Sequence, residues 1–297
     1  MYNVKVLHLE PTSHCNAACP QCARFLSDGR TLNPLLVEQD LSLQKIQQIL
    51  PRDFVLGLDK MFMCGDYGDP AAAKETVEIF RWFRSINPQI TLGMNTNGSL
   101  KTEKFWQDLG DILNREHDYC VFSLDGLADT NHIYRRNTNW DKIIRNVKAF
   151  VAAGGRAHWD MLIFKHNQHQ VNQAADLAEQ LGFVTFRAKV SKRFDKKPVE
   201  GILPPDNFEN NYIQSSQIDC YALKEQSIYL DHRGLFAPCC WLGNNLTDGP
   251  LYPSLDHFNK IKTVWQTTPY KTCSRVCSVK EQKTNFTKQW VKEINFR

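Results

Sequence analysis

The chain has 297 residues, of which 42% are hydrophobic and 23% are charged, and its formal net charge is +4. This composition is that of a globular protein with room for one large core or two modest ones. No run of roughly 18 apolar residues is present, which argues against a membrane span, and the mild positive charge does not by itself indicate a nucleic-acid partner.

Short apolar segments alternate with longer amphipathic ones over the first 190 residues. The predicted strands are 4–10, 60–65, 90–96, 119–125, 158–164 and 183–190. The stretches between them repeat their apolar residues at helical spacing, as Ile143, Val147 and Phe150 do. Strands that alternate with helices predict an α/β protein with a parallel sheet and right-handed crossovers. The array is shorter than an eightfold barrel, so a partial barrel or an open sheet is expected.

The sequence changes in character after residue 190. Residues 191–217 are rich in Pro, Asn and charged residues, which predicts a linker or a loop over the active site. The stretch 227–241 predicts a hairpin that turns at DHRG, and 254–266 has a helical pattern. We therefore expect a first domain over 1–190, the loop 191–217, and a small C-terminal α+β domain over 218–297.

The chain contains ten cysteines. Its first residues lack the basic, apolar and small-residue segments of a signal peptide, so we expect a cytoplasmic protein. In that reducing compartment the cysteines do not form a disulfide framework. Three stand close together near the N-terminus and five lie in the last third, which favours metal or iron–sulfur ligands. Cys64 and Cys120 fall in predicted strands, where a free cysteine usually packs as a small apolar residue.

The N-terminal group, Cys15, Cys19 and Cys22, has the spacing CxxxCxxC and follows the first predicted strand. Thiolates at this spacing can surround one soft metal centre. A zinc ion would need a fourth ligand nearby, for which His14 and His8 are candidates. An iron–sulfur cluster held by three thiolates leaves one iron without a protein ligand, and a small molecule can bind there.

This arrangement resembles the radical S-adenosylmethionine (SAM) superfamily, whose signature is CxxxCxxC in the loop after the first strand. Three further stretches resemble motifs of the superfamily in the same chain order, each at the end of a predicted strand: GDYGDP over 65–70, NTNG over 95–98 and FSLDG over 122–126. The resemblance covers roughly residues 4–190. It implies a partial (β/α)6 barrel, a four-iron four-sulfur (4Fe-4S) cluster and bound SAM.

The resemblance also implies roles for individual residues. GDYGDP is similar to the Gly-Gly-Glu-Pro motif that holds the SAM amino group, and FSLDG to a segment near the SAM ribose and carboxylate. Asp69 departs from the pattern by replacing a glutamate, and Gln21 stands where an aromatic residue often lies near the adenine. Arg187 could meet the SAM carboxylate, or it could face solvent or a glutamate. The implied SAM-binding residues are Gly65, Gly68, Asp69, Asn97, Ser123, Asp125, Arg187 and Gln21.

In the superfamily, the reduced cluster cleaves SAM to methionine and a 5′-deoxyadenosyl radical, which removes hydrogen from an unactivated C–H bond. The cofactor supplies the difficult chemistry and the protein positions it. Cys64 and Tyr67 lie where the cofactor is expected to bind and are the candidate catalytic residues. Cys64 could donate a hydrogen atom or simply pack, and Tyr67 could line the substrate site or cap the barrel rim.

The second cysteine group resembles the auxiliary-cluster domain called twitch, a reduced form of the SPASM domain. There, a cysteine precedes a hairpin that carries GxxxxC, and a later cysteine pair completes one auxiliary 4Fe-4S cluster. The implied ligands are Cys220, Cys239, Cys273 and Cys277. Neighbouring residues of an extended strand face opposite ways, so only one of Cys239 and Cys240 should reach the cluster, and the pattern favours Cys239. A structural zinc site is the alternative.

The sequence thus predicts a radical SAM enzyme, an oxidoreductase or a modifying enzyme, that acts on a peptide or a small molecule. Oxidation, cross-linking or epimerisation is the expected outcome, with a flavodoxin or ferredoxin as electron donor. A non-catalytic iron–sulfur electron carrier or redox sensor is the main alternative. It would explain the cysteines but not the glycine-bearing loops at successive strand ends. A zinc-binding scaffold is the third possibility.

Overall fold

The computed structural model describes residues 3–191, 193–194, 197–206, 208, 218–244, 250–257, 269–277 and 290–296. Its strands are β1 (Val6–Leu9), β2 (Lys60–Met63), β3 (Thr91–Thr96), β4 (Tyr119–Ser123), β5 (Ala157–Ile163), β6 (Thr185–Val190), β7 (Ser227–Leu230), β8 (Phe236–Ala237) and β9 (Lys292–Asn295). Within the described ranges these strands form one sheet, in the order β8-β7-β1-β2-β3-β4-β5-β6-β9.

Helices connect successive strands of this sheet. The α-helices are α1 (Leu43–Ile49), α2 (Arg52–Leu56), α3 (Thr76–Ile86), α4 (Glu103–Gly110), α5 (Asn131–Tyr134), α6 (Trp140–Ala152), α7 (Val171–Gln180), α8 (Tyr221–Lys224), α9 (Cys240–Gly243) and α10 (Lys271–Val276). Short 3-10 helices lie at Pro70–Ala72, Gln168–Gln170 and Leu255–His257. No helix of the described ranges has the length and apolar character that crossing a membrane requires.

The first six strands are all parallel, from the β1–β2 pair to the β5–β6 pair. Each overlaps one of the six strands predicted from the sequence, and helices fill the connections between them. The predicted α/β class with a mostly parallel sheet is therefore confirmed. Because parallel strands end at a common edge, the loops that follow β1 to β6 meet at one side of the sheet, where α/β proteins bind ligands.

Local sequence signals set the ends of the connecting helices. Ser42 caps α1 by accepting a hydrogen bond from the Lys45 N–H at 3.2 Å, and Asn139 caps α6 in the same way. Gly154 and Gly182 follow α6 and α7 with positive φ angles of 85° and 80°, a conformation that glycine adopts without strain. These ends return the chain to the sheet after each helix.

The main hydrophobic core lies between the sheet and these helices. Its largest fully buried side chains include Trp106, Trp159, Phe122 and Phe150. The helical positions Ile143, Val147 and Phe150 are buried, as their spacing predicted. Burying one such side chain contributes about 1.5–3 kcal/mol, so the core holds the strand ends in fixed positions.

Strands from the C-terminal third extend the sheet at both edges. β7 pairs in parallel with β1 through Leu7 and Ile228, and β9 pairs antiparallel with β6 through Phe186 and Ile294. β8 returns antiparallel to β7, so the predicted hairpin is present. Its turn is closed by Asp231, whose Oδ1 accepts the N–H groups of two turn residues.

The domain boundaries stay a prediction. Ile228, Leu230 and Phe236 belong to the main hydrophobic core, so the described hairpin packs together with the parallel sheet. Within the predicted loop 191–217, residues 192, 195–196, 207 and 209–217 lie outside the described residues, as do residues 258–268, which contain most of the predicted helix 254–266.

Candidate functional site

Cys15, Cys19 and Cys22 lie together in the loop after β1, half-buried and unpaired by any disulfide. Burial, the charge of Asp69 and the neighbouring Cys19 raise the pKa of Cys15. Burial also raises the pKa of Cys19, to about 11, although the positive charge of Arg135 acts against it. The thiolate, and not the thiol, is the form that ligates a metal, so metal binding would displace the protons of these cysteines.

Hydrogen bonds from the chain reach two of these thiols. The Ala17 N–H donates to Cys15 Sγ at 3.4 Å, and Arg135 Nη1 lies 3.8 Å from Cys19 Sγ. Arg135 Nε in turn donates to Asp125 Oδ2 at 2.6 Å. Donors of this kind stabilise thiolates and metal-bound sulfur, so the loop has the supporting contacts of a metal centre.

The loop 65–69 after β2 packs tightly against the cysteine loop. A Cβ atom on Gly65 would lie 1.8 Å from the Gly68 carbonyl oxygen, and one on Gly68 would lie 1.9 Å from the Thr12 carbonyl oxygen. No side chain fits at either position. The two glycines predicted to contact SAM are therefore also required for the close approach of this loop to the end of β1.

Asp69 ties this loop to the end of β3. Its Oδ1 accepts from the Thr96 hydroxyl at 2.9 Å, and its Oδ2 accepts from the Asn97 N–H at 2.7 Å. Asn97 Nδ2 lies 2.6 Å from Asp69 Oδ2 and 3.9 Å from Cys15 Sγ. The structure thus brings Asp69 and Asn97, both predicted to bind SAM, together beside a predicted cluster ligand.

Ser123 is the last residue of β4, Asp125 follows that strand, and Arg187 lies within β6. The Asp125 carboxylate is fully buried, and its two oxygens accept from Arg135 and from the Leu162 N–H. Ser123 is half-buried and pairs in register with Asp160. Arg187 Nε donates to Asp160 at 2.7 Å, so its positive charge has a carboxylate partner within the protein. Their contacts with SAM stay a prediction.

Gln21 connects the cysteine loop to the segment after β6. Its Nε2 donates to the Lys197 carbonyl oxygen at 3.0 Å, and its Oε1 lies 3.4 Å from the Ser191 hydroxyl. Lys197 Nζ donates to the carbonyl oxygen of Cys22 at 2.6 Å. The described part of the predicted loop 191–217 therefore lies against the cysteine loop, and the adenine role of Gln21 stays a prediction.

The C-terminal cysteines form a second group. Cys220 precedes α8, Cys239 precedes α9, and Cys273 and Cys277 lie in and after α10. Burial, together with the charges of Cys220, Cys277 and Cys273, raises the pKa of Cys239 to about 12. The Asp219 N–H donates to the Cys277 carbonyl oxygen at 2.7 Å and closes the group. The structure thus brings together the four cysteines that the sequence pattern selected.

Cys240 differs from its neighbour Cys239. Its Sγ lies 3.5 Å from the Tyr221 hydroxyl. After burial, the charge of Asp66 contributes most to raising the pKa of Cys240, and Cys64 adds a smaller contribution. Asp66 and Cys64 belong to the loop after β2, so this thiol lies on the side of that loop.

Neither group matches a site for one compact metal ion. Among the described residues, no three side chains of the types His, Cys, Asp or Glu converge closely enough to hold a single ion. A 4Fe-4S cluster spans more space than one zinc ion, since each thiolate binds a separate iron at a different corner. The donor set in both groups is thiol sulfur, the usual ligand of such clusters. The cysteines therefore fit a cluster by their chemistry.

Beneath the 65–69 loop lies a buried acid that the sequence reading missed. Glu10 follows β1 and is fully buried. Its Oε1 accepts the N–H groups of Tyr67 at 2.6 Å and Gly68 at 3.0 Å, and its Oε2 accepts from the Tyr229 hydroxyl. Burial alone would raise the pKa of Glu10, but the contacts with His232 and Tyr229 outweigh burial and lower it. The signal available in the sequence was a charged residue directly after an apolar strand.

The two candidate catalytic residues lie in this same region. Cys64 is half-buried after β2, and burial raises the pKa of its thiol to about 12. The Tyr67 ring is 3% exposed and packs edge-on against His232 with the ring centres 6.0 Å apart. Asp66, between them, has a buried Oδ2 without a hydrogen-bond partner among the described residues. Their catalytic roles stay predictions.

The parallel sheet, with the three-cysteine loop and two glycine-bearing loops at one edge, defines a class of protein that sequence comparison identifies. Residues 9–178 match the sequence profile of the radical SAM superfamily. That match spans more than half of the chain, so this protein belongs to the radical SAM superfamily.

Among curated proteins, the chain is similar to the tungsten-containing aldehyde ferredoxin oxidoreductase cofactor-modifying protein of Pyrococcus furiosus. The two are 23% identical over 243 residues, which cover 78% of this chain and 62% of that protein. The chain therefore spans less than two thirds of the length of this relative.

Two solved structures share the fold. Streptococcus suis SuiB bound to the precursor peptide SuiA superposes with a TM-score of 0.59 at 16% identity, covering 90% of this chain and 65% of SuiB. The structure of anSMEcpe with bound AdoMet superposes with a TM-score of 0.55 at 13% identity, covering 93% of this chain and 86% of anSMEcpe. At these identities the likeness extends to the fold and not further.

Proposed function

We propose that this chain is an enzyme that binds a 4Fe-4S cluster through Cys15, Cys19 and Cys22 and cleaves SAM reductively to begin a radical reaction. The observation that carries the proposal is the position of Asn97, whose Nδ2 lies near both Cys15 Sγ and Asp69. The three-cysteine loop and two implied SAM-binding loops thus meet at one point. When bound, the cluster supplies the electron that splits the SAM sulfonium and yields the 5′-deoxyadenosyl radical.

The protein's own residues orient SAM at this point. The backbone of the 65–69 loop can approach SAM closely because Gly65 and Gly68 have no side chains. Asp69 and Asn97 fix that loop against the end of β3. The implied contacts of Ser123, Asp125, Arg187 and Gln21 with SAM belong to the same proposal. Cys64 and Tyr67 are its candidates for contact with the substrate.

A second 4Fe-4S cluster is proposed on the C-terminal cysteines, in a twitch-like auxiliary domain. The support is the shared buried surroundings of Cys220, Cys239 and Cys273, together with the mutual influence of these thiols and Cys277 on their pKa values. Cluster binding would stabilise a part of the chain whose own apolar cluster is small.

The proposed substrate is a peptide or a small molecule from which hydrogen is abstracted, with oxidation, cross-linking or epimerisation as the outcome. SuiB, which shares the fold, was solved with a precursor peptide, and this favours a peptide. The Pyrococcus furiosus relative is named for modifying a cofactor, which keeps a small molecule as the second candidate. A flavodoxin or ferredoxin is the proposed electron donor, and the reduced thiols suit the cytoplasm.

Anaerobic reconstitution tests this proposal. We expect about eight irons per chain, from two four-iron clusters, and 5′-deoxyadenosine formation from SAM with dithionite as reductant. The triple variant Cys15→Ala, Cys19→Ala, Cys22→Ala should retain about four irons and form no 5′-deoxyadenosine. Cys120→Ala is the matched control, since this thiol is fully buried in the core, and it should keep both the iron and the activity.

Two results would refute the proposal that this chain is a SAM-cleaving enzyme. Clusters that leave SAM intact under every reductant would favour the non-catalytic electron carrier or redox sensor. Zinc in place of iron and sulfide would favour the structural scaffold. Activity that survives in the triple variant would show that another group holds the cluster that cleaves SAM.

A further inference from the structure

Glu10 is the buried centre of a set of contacts that joins three parts of the chain. It lies directly after β1, and its side chain is inaccessible to solvent. Each carboxylate oxygen faces a different element. Oε1 faces the 65–69 loop and Oε2 faces β7 and the β7–β8 turn.

On one side, Glu10 fixes the backbone of the loop that we propose to hold SAM. The N–H groups of Tyr67 and Gly68 both donate to Oε1, at 2.6 and 3.0 Å. Arg24 Nη1 donates to the Tyr67 carbonyl oxygen at 2.9 Å, so both polar groups of that peptide segment have buried partners. The loop conformation therefore depends on an acceptor at the position of Oε1.

On the other side, Glu10 contacts the part of the chain that carries the auxiliary cysteines. The Tyr229 hydroxyl donates to Oε2, and His232 Nδ1 lies 3.6 Å from it. A Cβ atom on Gly243 would lie 2.4 Å from the Tyr229 ring, so the end of α9 packs directly on that ring. α9 begins at Cys240, one residue after Cys239.

These contacts form one continuous buried path from α9 through the Tyr229 ring and hydroxyl and Glu10 to the 65–69 loop. The packed ring and the buried hydrogen bonds leave little room for one end to move without the other. A buried carboxylate that loses a donor also bears a large desolvation cost. Both considerations favour a mechanical link between the two cysteine sites.

We propose that Glu10 and Tyr229 are positioning residues that couple the auxiliary-cluster segment to the SAM-binding loop, so that full SAM affinity requires their hydrogen bond. This inference rests on the proposed function, because it assumes that the 65–69 loop contacts SAM. Linkage makes the coupling reciprocal: a change in the auxiliary segment alters SAM affinity, and bound SAM stabilises that segment.

Two conservative variants of the reconstituted protein test the coupling. Tyr229→Phe keeps the ring on Gly243 and removes only the hydroxyl. Glu10→Gln keeps the shape but leaves one carbonyl oxygen for two opposed sets of donors. We expect the KM for SAM in dithionite-driven 5′-deoxyadenosine formation to rise about tenfold in each, as the loss of a hydrogen bond to a charged group predicts. The kcat should stay within about twofold, because the cluster and its reductant are unchanged.

Additivity separates a shared path from two independent defects. Because both variants break the same path, the double variant should be no weaker in SAM affinity than the weaker single variant. Tyr119→Phe, a hydroxyl deletion at the first residue of β4 and outside this path, is the matched control and should leave KM unchanged. Iron content should equal that of the wild type in every variant.

The outcomes distinguish this inference from the proposed function. A wild-type protein that neither binds nor cleaves SAM overturns both. A wild-type protein that cleaves SAM, with Tyr229→Phe and Glu10→Gln showing the wild-type KM, overturns the coupling alone. Fully additive losses in the double variant, or a loss of iron that accompanies the rise in KM, would likewise overturn it.

Discussion

The guanidinium of Arg135 lies between a buried carboxylate and a cysteine that we propose as a cluster ligand. Asp125 holds its Nε at 2.6 Å, and Nη1 lies 3.8 Å from Cys19 Sγ. Burial by itself would lower the pKa of Arg135, but the charges of Asp125 and Cys19 raise it. The side chain is therefore a fixed positive charge beside the proposed cluster.

This contact predicts an effect on the potential of the N-terminal cluster. Positive charge and hydrogen bonds near a cluster sulfur favour the reduced state. Arg135→Gln should lower the reduction potential by about 60 mV, the one-electron equivalent of losing about 1.4 kcal/mol from a hydrogen bond to a charged group. The measurement is a redox titration followed by electron paramagnetic resonance.

The adjacent arginine provides the control. Arg136→Gln makes the same change in net charge one residue away, and Cys19 Sγ has its contact with Arg135 and not with Arg136. Its effect on the potential should be clearly smaller. Equal shifts in the two variants would mean that overall charge, and not the contact with Cys19, sets the potential.

Residue types in a motif indicate a site, but they do not indicate how each side chain is used. Asp69 and Asn97 were predicted from strand-end motifs and do lie together beside Cys15. Arg187 was selected because it is a cation in a strand, and its partner Asp160 became visible only once β5 and β6 were paired. Glu10 was missed because its partners come from residues about 57 and 219 positions away.

At the scale of elements, the start of α9 gives two adjacent cysteines different surroundings. Cys239 precedes the helix in an extended conformation and belongs to the small apolar cluster with Cys273. Cys240 is the first residue of the helix, and its thiol contacts the Tyr221 hydroxyl. The change from extended to helical backbone between them turns the two side chains apart.

This geometry predicts different iron contents for two matched variants. Cys239→Ser should lose the auxiliary cluster and retain about four irons, whereas Cys240→Ser should keep about eight. Both substitutions replace the same atom in neighbouring residues, so a general effect on folding would change them equally. Iron and sulfide analysis after anaerobic reconstitution measures the difference.

A reversed result would reassign the ligand. If the iron content of Cys240→Ser falls from about eight to about four, as expected for the loss of one cluster, then Cys240 is the ligand and Cys239 packs. If neither variant loses iron, the proposal of an auxiliary cluster on these cysteines fails.

Elements with local signals were predicted well. The six parallel strands match the apolar segments of the sequence, since the buried positions of each strand need apolar side chains. The N-caps and glycine ends of helices such as α6 are equally local. Positions between these signals depend on partners that lie far along the chain, and a single sequence does not specify them.

At the scale of the whole molecule, the sheet joins the first strand of the chain to a strand from its last third. β1 pairs with β2 on one side and with β7 on the other, although β7 lies more than 200 residues away. A hairpin signal predicted β7 and β8, but nothing local could predict which strand they would join. That pairing places Tyr229 beside Glu10 and brings the C-terminal cysteines to the same side as the first cysteine loop.

A histidine is buried where β1 contacts the loop after β2, and its burial predicts a dependence of stability on pH. His8 is 8% exposed, stacks on Phe62 and donates from Nε2 to the Cys64 carbonyl oxygen. Burial lowers its pKa from 6.5 to about 4, although Glu10 acts in the opposite direction. Between these two values the unfolded chain binds a proton that the folded protein does not, so stability falls as the pH falls below 6.5.

The variant His8→Phe isolates this contribution. Phenylalanine keeps the aromatic packing but cannot bind a proton. Between pH 7.5 and pH 5.5, the wild type should lose roughly 1 kcal/mol more free energy of unfolding than the variant, because one pKa unit corresponds to about 1.4 kcal/mol. The measurement is urea denaturation of both reconstituted proteins at the two pH values. Acid effects on the cysteine ligands are common to both proteins and cancel in the comparison.

An exposed histidine provides the reference for this prediction. His117 lies on the surface before β4, and His117→Phe removes one exposed imidazole without touching the contact between His8 and the loop after β2. Its pH dependence should follow that of the wild type. If His8→Phe also follows the wild type, the ring of His8 takes up its proton in the folded protein. The contact between the end of β1 and the loop after β2 would then have to open to admit a charge.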